Sequence, residues 1–162
     1  MPKVLTIGVY GSTLDAFLAA LRGADVKHLL DVRQRRGVRG PQYSWANARR
    51  LQTTLADAGI EYRHHRELAP TTELRHVQYR EDDRLGEGKR SRTHLAPEYA
   101  ERYTREILDK ADLGPIVEAM PPDGAAALFC VERDPEACHR LLIAERMRER
   151  FGVSVKHVRA SA

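Results

Sequence analysis

The sequence predicts a single α/β domain over residues 1–162, built on a mainly parallel sheet of about five strands with helices on both faces. Short apolar runs of strand length alternate along the chain with longer segments in which apolar residues recur every three or four positions. Successive strands joined by a helix pack in parallel, because the helix returns the chain to the same end of the sheet. A chain of 162 residues is long enough to bury one stable core without disulfide bonds.

The predicted strands are the apolar runs at residues 3–9, 26–32, 60–64, 125–131 and 153–158. The fourth run is apolar almost throughout, which is typical of a strand buried on both faces. The third run is short and polar, so we expect it near an edge of the sheet.

The first two helices have recognisable ends. Ser12 has the chemistry of an N-cap for the first helix, whose apolar residues follow the helical spacing from Leu14 onwards. Ser44 is expected to cap the second helix, and Gly59 to end it.

The later helices are marked by proline. We predict a third helix from Pro97 to about residue 111 and a fourth from Pro135 to about residue 151, with Asp134 as its cap. Residues 67–95 between them show little periodicity and many charges, and they exceed the usual loop length. We expect a charged loop or lid there, or a disordered insertion.

Composition limits the function. Hydrophobic residues make up 42% of the chain and no apolar run approaches the ~20 residues of a membrane span, so we expect no membrane partner. The N-terminus has no signal-peptide pattern, which predicts a cytoplasmic protein whose two cysteines are reduced, metal-bound or catalytic. The net charge of +4 favours anionic partners, but charges of both signs are dispersed and do not establish nucleic-acid binding.

The densest group of reactive side chains lies at residues 128–140, where the fourth strand is predicted to lead into a helix. It contains Cys130, Glu132, Cys138, His139 and Arg140. Near a helix N-terminus a thiol tends to ionise and an anion tends to bind. This segment is therefore the expected reactive centre.

The same segment resembles the C-terminal signature of Domain of Unknown Function family 488. That signature is an apolar strand, Cys, a small or apolar residue, Glu, a polar turn and Cys-His-Arg, and residues 130–140 match it. Upstream matches follow in order at residues 6–8, Phe17, 30–33 and 59–62. The resemblance implies membership of this family, and the family name implies no particular reaction.

Cys138 is the stronger candidate nucleophile, because it is expected at the start of a helix. Glu132 is the candidate general acid or base, since burial near a strand end raises the pKa of a carboxylate. His139 completes the candidate catalytic set, although neighbouring helical residues diverge by about 100° and it is not expected to be the base for Cys138. Cys130 lies within the apolar strand, where a structural role is the commoner outcome.

Candidate substrate-binding residues lie at the other strand ends. Gly8 and Ser12 either cradle a phosphate or form a simple strand-to-helix turn. Asp31 and Arg33 point to the same side, where they either form an ion pair or anchor an anionic substrate together with Arg140. Parallel strands place Asp31, Arg33, Glu132 and Cys138 at one end of the sheet.

A metal is the rival use of the same cluster. Cys130, Cys138, His139 and His157 have the composition of a Cys2His2 site. Their spacing differs from that of zinc fingers, whose ligands come in pairs two to four residues apart. We therefore expect no metal ligands in this chain.

The loop at residues 34–45 mixes Arg35, Arg36 and Arg39 with Tyr43 and Trp45. Arginines interleaved with aromatic rings hold nucleic-acid phosphates and stack bases. The other interpretation is a solvated loop that leads into the second helix.

Two classes of function follow. The first is a thiol-dependent enzyme that acts on an anionic small molecule, a nucleotide or a nucleic-acid component. The second is a non-catalytic nucleic-acid-binding module in which the cysteines are structural or redox-active. A regulatory domain stapled by a metal is the third interpretation.

Overall fold

A computed structural model describes residues 2–160 of the protein. Its strands are β1 (Lys3–Ile7), β2 (Val26–Asp31), β3 (Glu61–His64), β4 (Ala125–Phe129) and β5 (Ser154–Val158). They form one five-stranded sheet in the order β3-β2-β4-β1-β5, and every neighbouring pair is parallel. The predicted fold class is confirmed, including the edge position of β3.

The helices are α1 (Leu14–Gly23), α2 (Ala48–Asp57), α3 (Thr72–Leu85), α4 (Pro97–Glu106), α5 (Gly114–Glu118) and α6 (His139–Phe151). The chain crosses the sheet in one direction from β1 to β3 and returns after β3. Because such crossovers are right-handed, α1 and α2 cover one face and α3 to α6 cover the other. None of the helices within residues 2–160 is both long and apolar enough to cross a membrane.

The centre of the sheet is its most buried part. All residues of β4 are buried because β4 lies between β2 and β1, with helices on both faces. On the α1 face, the ring of Phe129 packs 5.5 Å from that of Phe17, which in turn lies 5.0 Å from the ring of Trp45. These aromatic contacts fix α1 and the turn before α2 to the sheet.

Three predicted caps lie close to the observed helix starts but are wrong. Thr13, not Ser12, caps α1, and its Oγ1 accepts a hydrogen bond from Ala16 N–H at 3.2 Å. Ser44 lies within a 3₁₀ turn, and α2 begins only after Asn47.

The third of these caps, Asp134, precedes a different kind of turn. A 3₁₀ turn at Pro135–Ala137 has Asp134 as its N-cap and Pro135 at its first position, which are the positions that these residue types prefer in a helical turn. The turn ends at Cys138, which is the N-cap of α6. The helix therefore begins later than the sequence predicts.

Helix α3 replaces much of the loop that the sequence predicts at residues 67–95. Thr71 caps it by accepting a hydrogen bond from Leu74 N–H, and Gly86 ends it in the left-handed conformation with φ 70°. The expectation of an irregular loop is wrong for residues 72–85, while residues 87–96 connect α3 to α4 without a further helix or strand.

The helical period of α3 is hidden because its buried face is half polar. Gln78 and Asp82 lie at positions where an apolar residue would mark the pattern. Gln78 Oε1 accepts a hydrogen bond from Ala96 N–H at 2.7 Å, and Asp82 pairs with Arg92. Both polar side chains are therefore buried with partners supplied by the following segment.

Gly8 brings the ends of β1 and β4 into direct contact. The N–H groups of Val9 and Tyr10 both donate to the carbonyl oxygen of Val131 at 3.0 Å. A Cβ at Gly8 would lie 1.8 Å from the carbonyl oxygen of Glu132, closer than any non-bonded contact allows. Glycine is required here by close backbone approach, not by an unusual φ.

We predict that Gly8→Ala lowers the free energy of unfolding by at least about 2 kcal/mol, because the two loops must separate to admit a methyl group. Urea unfolding followed by circular dichroism measures the change. Gly23→Ala is the matched control, since an added Cβ there meets nothing within 4 Å and alanine favours a helix. Equal stability of the two variants would contradict the close approach.

Candidate functional site

A small cavity opens at the carboxyl ends of β2 and β4. We call it the thiol cavity; its volume is about 50 Å³, and its lining includes Arg33, Arg92, Cys130, Glu132 and His139. Of the residues predicted to converge, Arg33 and Glu132 line this cavity, because the ends of β2 and β4 meet at this edge of the sheet. Ligands of open parallel sheets bind at this edge.

Cys138 and His139 form a contact that sequence reasoning did not expect. Cys138 is extended, with φ −141° and ψ 147°, so the divergence of about 100° between helical neighbours does not apply. Its Sγ lies 3.7 Å from His139 Nδ1. The same Sγ accepts a hydrogen bond from Arg140 N–H at 3.5 Å, as an N-cap side chain does.

The orientation of His139 is set from β2. Its Nε2 lies 2.8 Å from the carbonyl oxygen of Val32, which can only accept a hydrogen bond. Nε2 therefore carries a proton, and the lone pair of neutral His139 lies on Nδ1, the atom that faces Cys138.

The two thiols are placed differently. Donor atoms of Cys130, Cys138 and His139 all lie within 4.8 Å of one another. Cys130 lines the thiol cavity, whereas Cys138 is only 1% exposed and is not among the lining residues. The hydrogen bond from Cys130 to Cys138, together with burial, raises the pKa of the Cys130 thiol well above its ordinary value. The thiol that a ligand would touch is therefore Cys130, protonated at neutral pH.

His157 lies outside this cluster. Its Nδ1 is 2.6 Å from Thr6 Oγ1 on β1. The four-ligand set considered from the sequence is reduced to three residues.

Glu132 belongs to a buried ion-pair network. Arg92 Nη1 donates to Glu132 Oε1 at 3.0 Å, and its Nη2 donates to Asp82 Oδ2 at 2.7 Å. Burial alone raises the pKa of Glu132, but the positive charges of Arg92 and Lys89 outweigh it and lower this pKa to about 2. The expected raised pKa is wrong, because the sequence did not reveal Arg92. Ionised Glu132 is a hydrogen-bond acceptor at neutral pH, and its Oε2 has no partner within residues 2–160.

Asp31 and Arg33 form a buried ion pair. Arg33 Nε and Nη2 donate to the Asp31 carboxylate, and Nη1 donates to the carbonyl oxygen of Ala46 at 2.9 Å. Tyr62 also donates to Asp31, at 2.5 Å. Arg33 lines the thiol cavity but Asp31 does not, so the geometry favours the ion-pair interpretation for Asp31.

The remaining predicted anion ligands lie away from the cavity lining. The turn from Gly8 to Ser12 cannot cradle a phosphate with its backbone, because the N–H groups of residues 9–12 all have partners within the protein. Arg140 is completely buried, and Nη2 of its guanidinium donates to the carbonyl oxygen of Arg133 at 3.2 Å, while Nε and Nη1 have no partner within residues 2–160.

An open groove of about 690 Å³ continues from the thiol cavity, and we call it the basic groove. The two share Arg35, Arg75, Tyr79 and Lys89 as lining residues. The cations that line the groove are Arg35, Arg39, Arg75, Lys89 and Arg90, and its lining contains no aspartate or glutamate. No ion pair of these five side chains is found in the described part of the chain, residues 2–160.

The basic loop predicted from the sequence supplies part of this groove. Arg35 and Arg39 line it, as the basic-loop prediction requires, but Arg36 points elsewhere and donates to Tyr62 Oη at 3.3 Å. Trp45 is 7% exposed and packs against Phe17, so its predicted base-stacking role is wrong. The predicted set does not include Arg75, Lys89 and Arg90, because they belong to the segment for which the sequence predicts a loop. The many charged residues of that segment were the signal in the sequence that could have indicated these cations.

Fold and site together define a parallel α/β protein with a buried thiol–imidazole cluster at the carboxyl edge of its sheet. The family model described as "Domain of unknown function DUF488" matches residues 13–147, and the chain belongs to this family. No curated protein and no solved structure gives a significant match to the chain.

We predict that the buried charge of Glu132 makes stability depend on acid pH. Because the pKa of Glu132 is lowered on folding, its contribution is complete above the unfolded value of 4.5 and is lost as the pH falls toward 2. The difference in unfolding free energy between wild type and Glu132→Gln should therefore shrink by up to about 3 kcal/mol between pH 5 and pH 2.

Urea unfolding at each pH measures this difference. Glu118→Gln is the control, because Glu118 is exposed and forms no ion pair within residues 2–160. A difference that is constant with pH, as expected for the control, would show that Glu132 does not change its pKa on folding.

Proposed function

We propose that the protein is a thiol-dependent enzyme of the cytoplasm that acts on an anionic substrate. The observation that carries this proposal is the basic groove, which leads into a small cavity whose lining includes a thiol and an imidazole. Cysteines with a purely structural role do not require a positively charged groove that leads to them from the solvent. Perturbed titratable groups in a cleft are typical of functional sites.

The groove supplies the attraction for the substrate. Arg75 Nη1 donates to Gln34 Oε1 and its Nη2 to Tyr79 Oη, and both partners are neutral, so the charge of Arg75 is not compensated. Lys89 lines both the groove and the cavity and is close enough to lower the pKa of Glu132. A row of such cations raises the local concentration of an anion.

The cluster supplies the nucleophile and a path for its proton. Cys130 Sγ forms the bond to the electrophilic centre of the substrate, and the leaving group departs with its electron pair. The Cys130 thiol gives its proton to Cys138 Sγ while the Cys138 thiol gives its own proton to His139 Nδ1, because these three donor atoms are neighbours. The hydrogen bond from His139 Nε2 to Val32 stabilises the imidazolium that results.

The remaining polar groups orient the substrate. The free Oε2 of Glu132 accepts a hydrogen bond from a substrate hydroxyl or amino group, while Arg92 keeps this carboxylate ionised. Arg33, held by Asp31, forms part of the cavity wall. Gly8, Ser12 and Arg140 are not among the residues that line the cavity. In this proposal they shape the loops around it.

Two alkylating agents that differ only in charge test the proposal. Iodoacetate is an anion and iodoacetamide is neutral, and both form the same S–C bond with loss of iodide. We expect the native protein to prefer iodoacetate by about 10-fold relative to the preference of free glutathione, because the groove concentrates anions. Mass spectrometry should place the label on Cys130, and inorganic phosphate should slow the reaction.

The double variant Arg75→Gln/Lys89→Gln should lose most of this preference while keeping its reaction with iodoacetamide. Cys138→Ser is expected to slow alkylation of Cys130, because the proton acceptor is changed. Alkylation only after unfolding would overturn the thiol enzyme, and labelling of Cys138 in the native state would overturn the assignment of Cys130 as nucleophile.

The same groove favours a second candidate, a non-catalytic module that binds nucleic acid. Its five cations have no carboxylate among the lining residues, and Arg90 lies over the rings of Tyr10 and Tyr43 at 5.4 and 4.9 Å. A polynucleotide uses such a surface through its phosphates, without need of the thiols.

Salt dependence separates these candidates. If a single-stranded oligonucleotide binds in the groove, its affinity should fall steeply with salt, and Arg35→Gln/Arg39→Gln/Arg90→Gln should reduce the slope by about 0.7 for each phosphate that the variant no longer neutralises. Fluorescence anisotropy of a labelled oligonucleotide measures the affinity and its dependence on salt concentration. Arg36→Gln is the matched control, since Arg36 lies outside the groove. Absence of salt-dependent binding would rule out the nucleic-acid-binding module as a candidate function.

A further inference from the structure

We infer that Cys130, Cys138 and His139 form a binding site for a thiophilic divalent cation, Zn²⁺, with a fourth coordination position that faces the thiol cavity. The inference goes beyond the proposed function, because it requires only the geometry of the cluster. Metal and substrate would nevertheless compete for the same thiols. The metal-bound protein would therefore not react with substrate through these thiols.

The donor atoms are already close together. They lie within 4.8 Å of one another. Around tetrahedral zinc, with Zn–S near 2.3 Å and Zn–N near 2.0 Å, neighbouring donors are about 3.5 Å apart. Small rotations of the side chains therefore suffice to close the site. Two thiolates and an imidazole are the soft donors that select zinc over magnesium or calcium.

The outer partners are those of a metal site. His139 Nε2–H donates to the carbonyl oxygen of Val32, which presents Nδ1 to the two sulfurs. Metal-binding histidines almost always have their second nitrogen held in this way. The N–H of Arg140 donates to Cys138 Sγ and supports its negative charge as a ligand.

The charge of the surroundings permits the ion. Binding replaces two thiol protons by one dication, Zn²⁺ + 2 RSH → Zn(SR)₂ + 2 H⁺, so the formal charge of the cluster does not change. Lys89 and Arg92, which line the same cavity as Cys130 and His139, therefore meet a neutral cluster before and after binding. Burial, which opposes the two thiolates alone, does not oppose the complex.

The fourth position follows from which ligands face the cavity. Cys130 and His139 line it and Cys138 does not, so we place the open coordination position on the side of the space of about 50 Å³. Three protein ligands with an open position are typical of zinc sites that accept water or a ligand atom. The sequence argued against zinc because the ligands are not in close pairs, but the fold brings the end of β4 to the start of α6.

Titration of the reduced, metal-free protein with Co²⁺ tests the site. We expect one Co²⁺ per chain, thiolate-to-metal charge transfer in the near ultraviolet, and intense visible absorption typical of tetrahedral coordination. Zn²⁺ should displace the cobalt. Cys138→Ser and His139→Gln should each weaken binding by at least about 100-fold, more than the loss of an outer partner costs. His157→Gln is the control, because His157 binds Thr6 and lies outside the cluster.

Absence of the charge-transfer band, or the same band in Cys130→Ser/Cys138→Ser, would overturn the inference. Alkylation by iodoacetate without metal tests the proposed enzyme separately. A protein that binds Co²⁺ but resists alkylation when metal-free would retain the metal site and lose the thiol enzyme. A protein that reacts with iodoacetate but binds no Co²⁺ would retain the thiol enzyme and lose the metal site.

Discussion

The candidate site depends on the buried guanidinium of Arg92. Its side chain is 4% exposed and joins Asp82 of α3 to Glu132 after β4. Taking these charges out of water costs several kcal/mol for each ion, and only their mutual attraction and hydrogen bonds offset that cost. Removing one member would leave an uncompensated buried charge. The network therefore fastens the segment between α3 and α4 to the end of β4, and this segment supplies Lys89 and Arg92 to the cavity.

The thiol–imidazole cluster depends in turn on the parallel sheet. Cys130 follows β4, Cys138 precedes α6, and the carbonyl oxygen that orients His139 belongs to Val32, directly after β2. These groups meet because parallel strands have their carboxyl ends at the same edge. The cluster is neutral with two protons and neutral with one zinc ion. Nucleophilic chemistry and metal binding are therefore alternative uses of one arrangement, and the surrounding charges do not have to change between them.

Much of the fold could be predicted, because apolar runs and turn residues are local signals. All five strands were found, with boundaries that differ from those observed by at most two residues. Helix α3 was missed because Gln78 and Asp82 occupy its buried face, and their partners, Ala96 and Arg92, lie outside the helix. The early start given to α6 has a different cause. Pro135 favours any first helical turn, and a sequence does not distinguish a 3₁₀ turn from an α-helix.

The sequence by itself determined the parallel α/β class, the family resemblance and the identity of the reactive side chains, since these depend on residue type and local spacing. Only the tertiary structure decided that Cys130 faces the cavity, that Glu132 is held ionised and that Trp45 is buried. It also decided that the groove takes its cations from two segments far apart in the chain. The physical reason is that exposure, charge compensation and proximity arise from contacts between distant residues, which no local pattern contains.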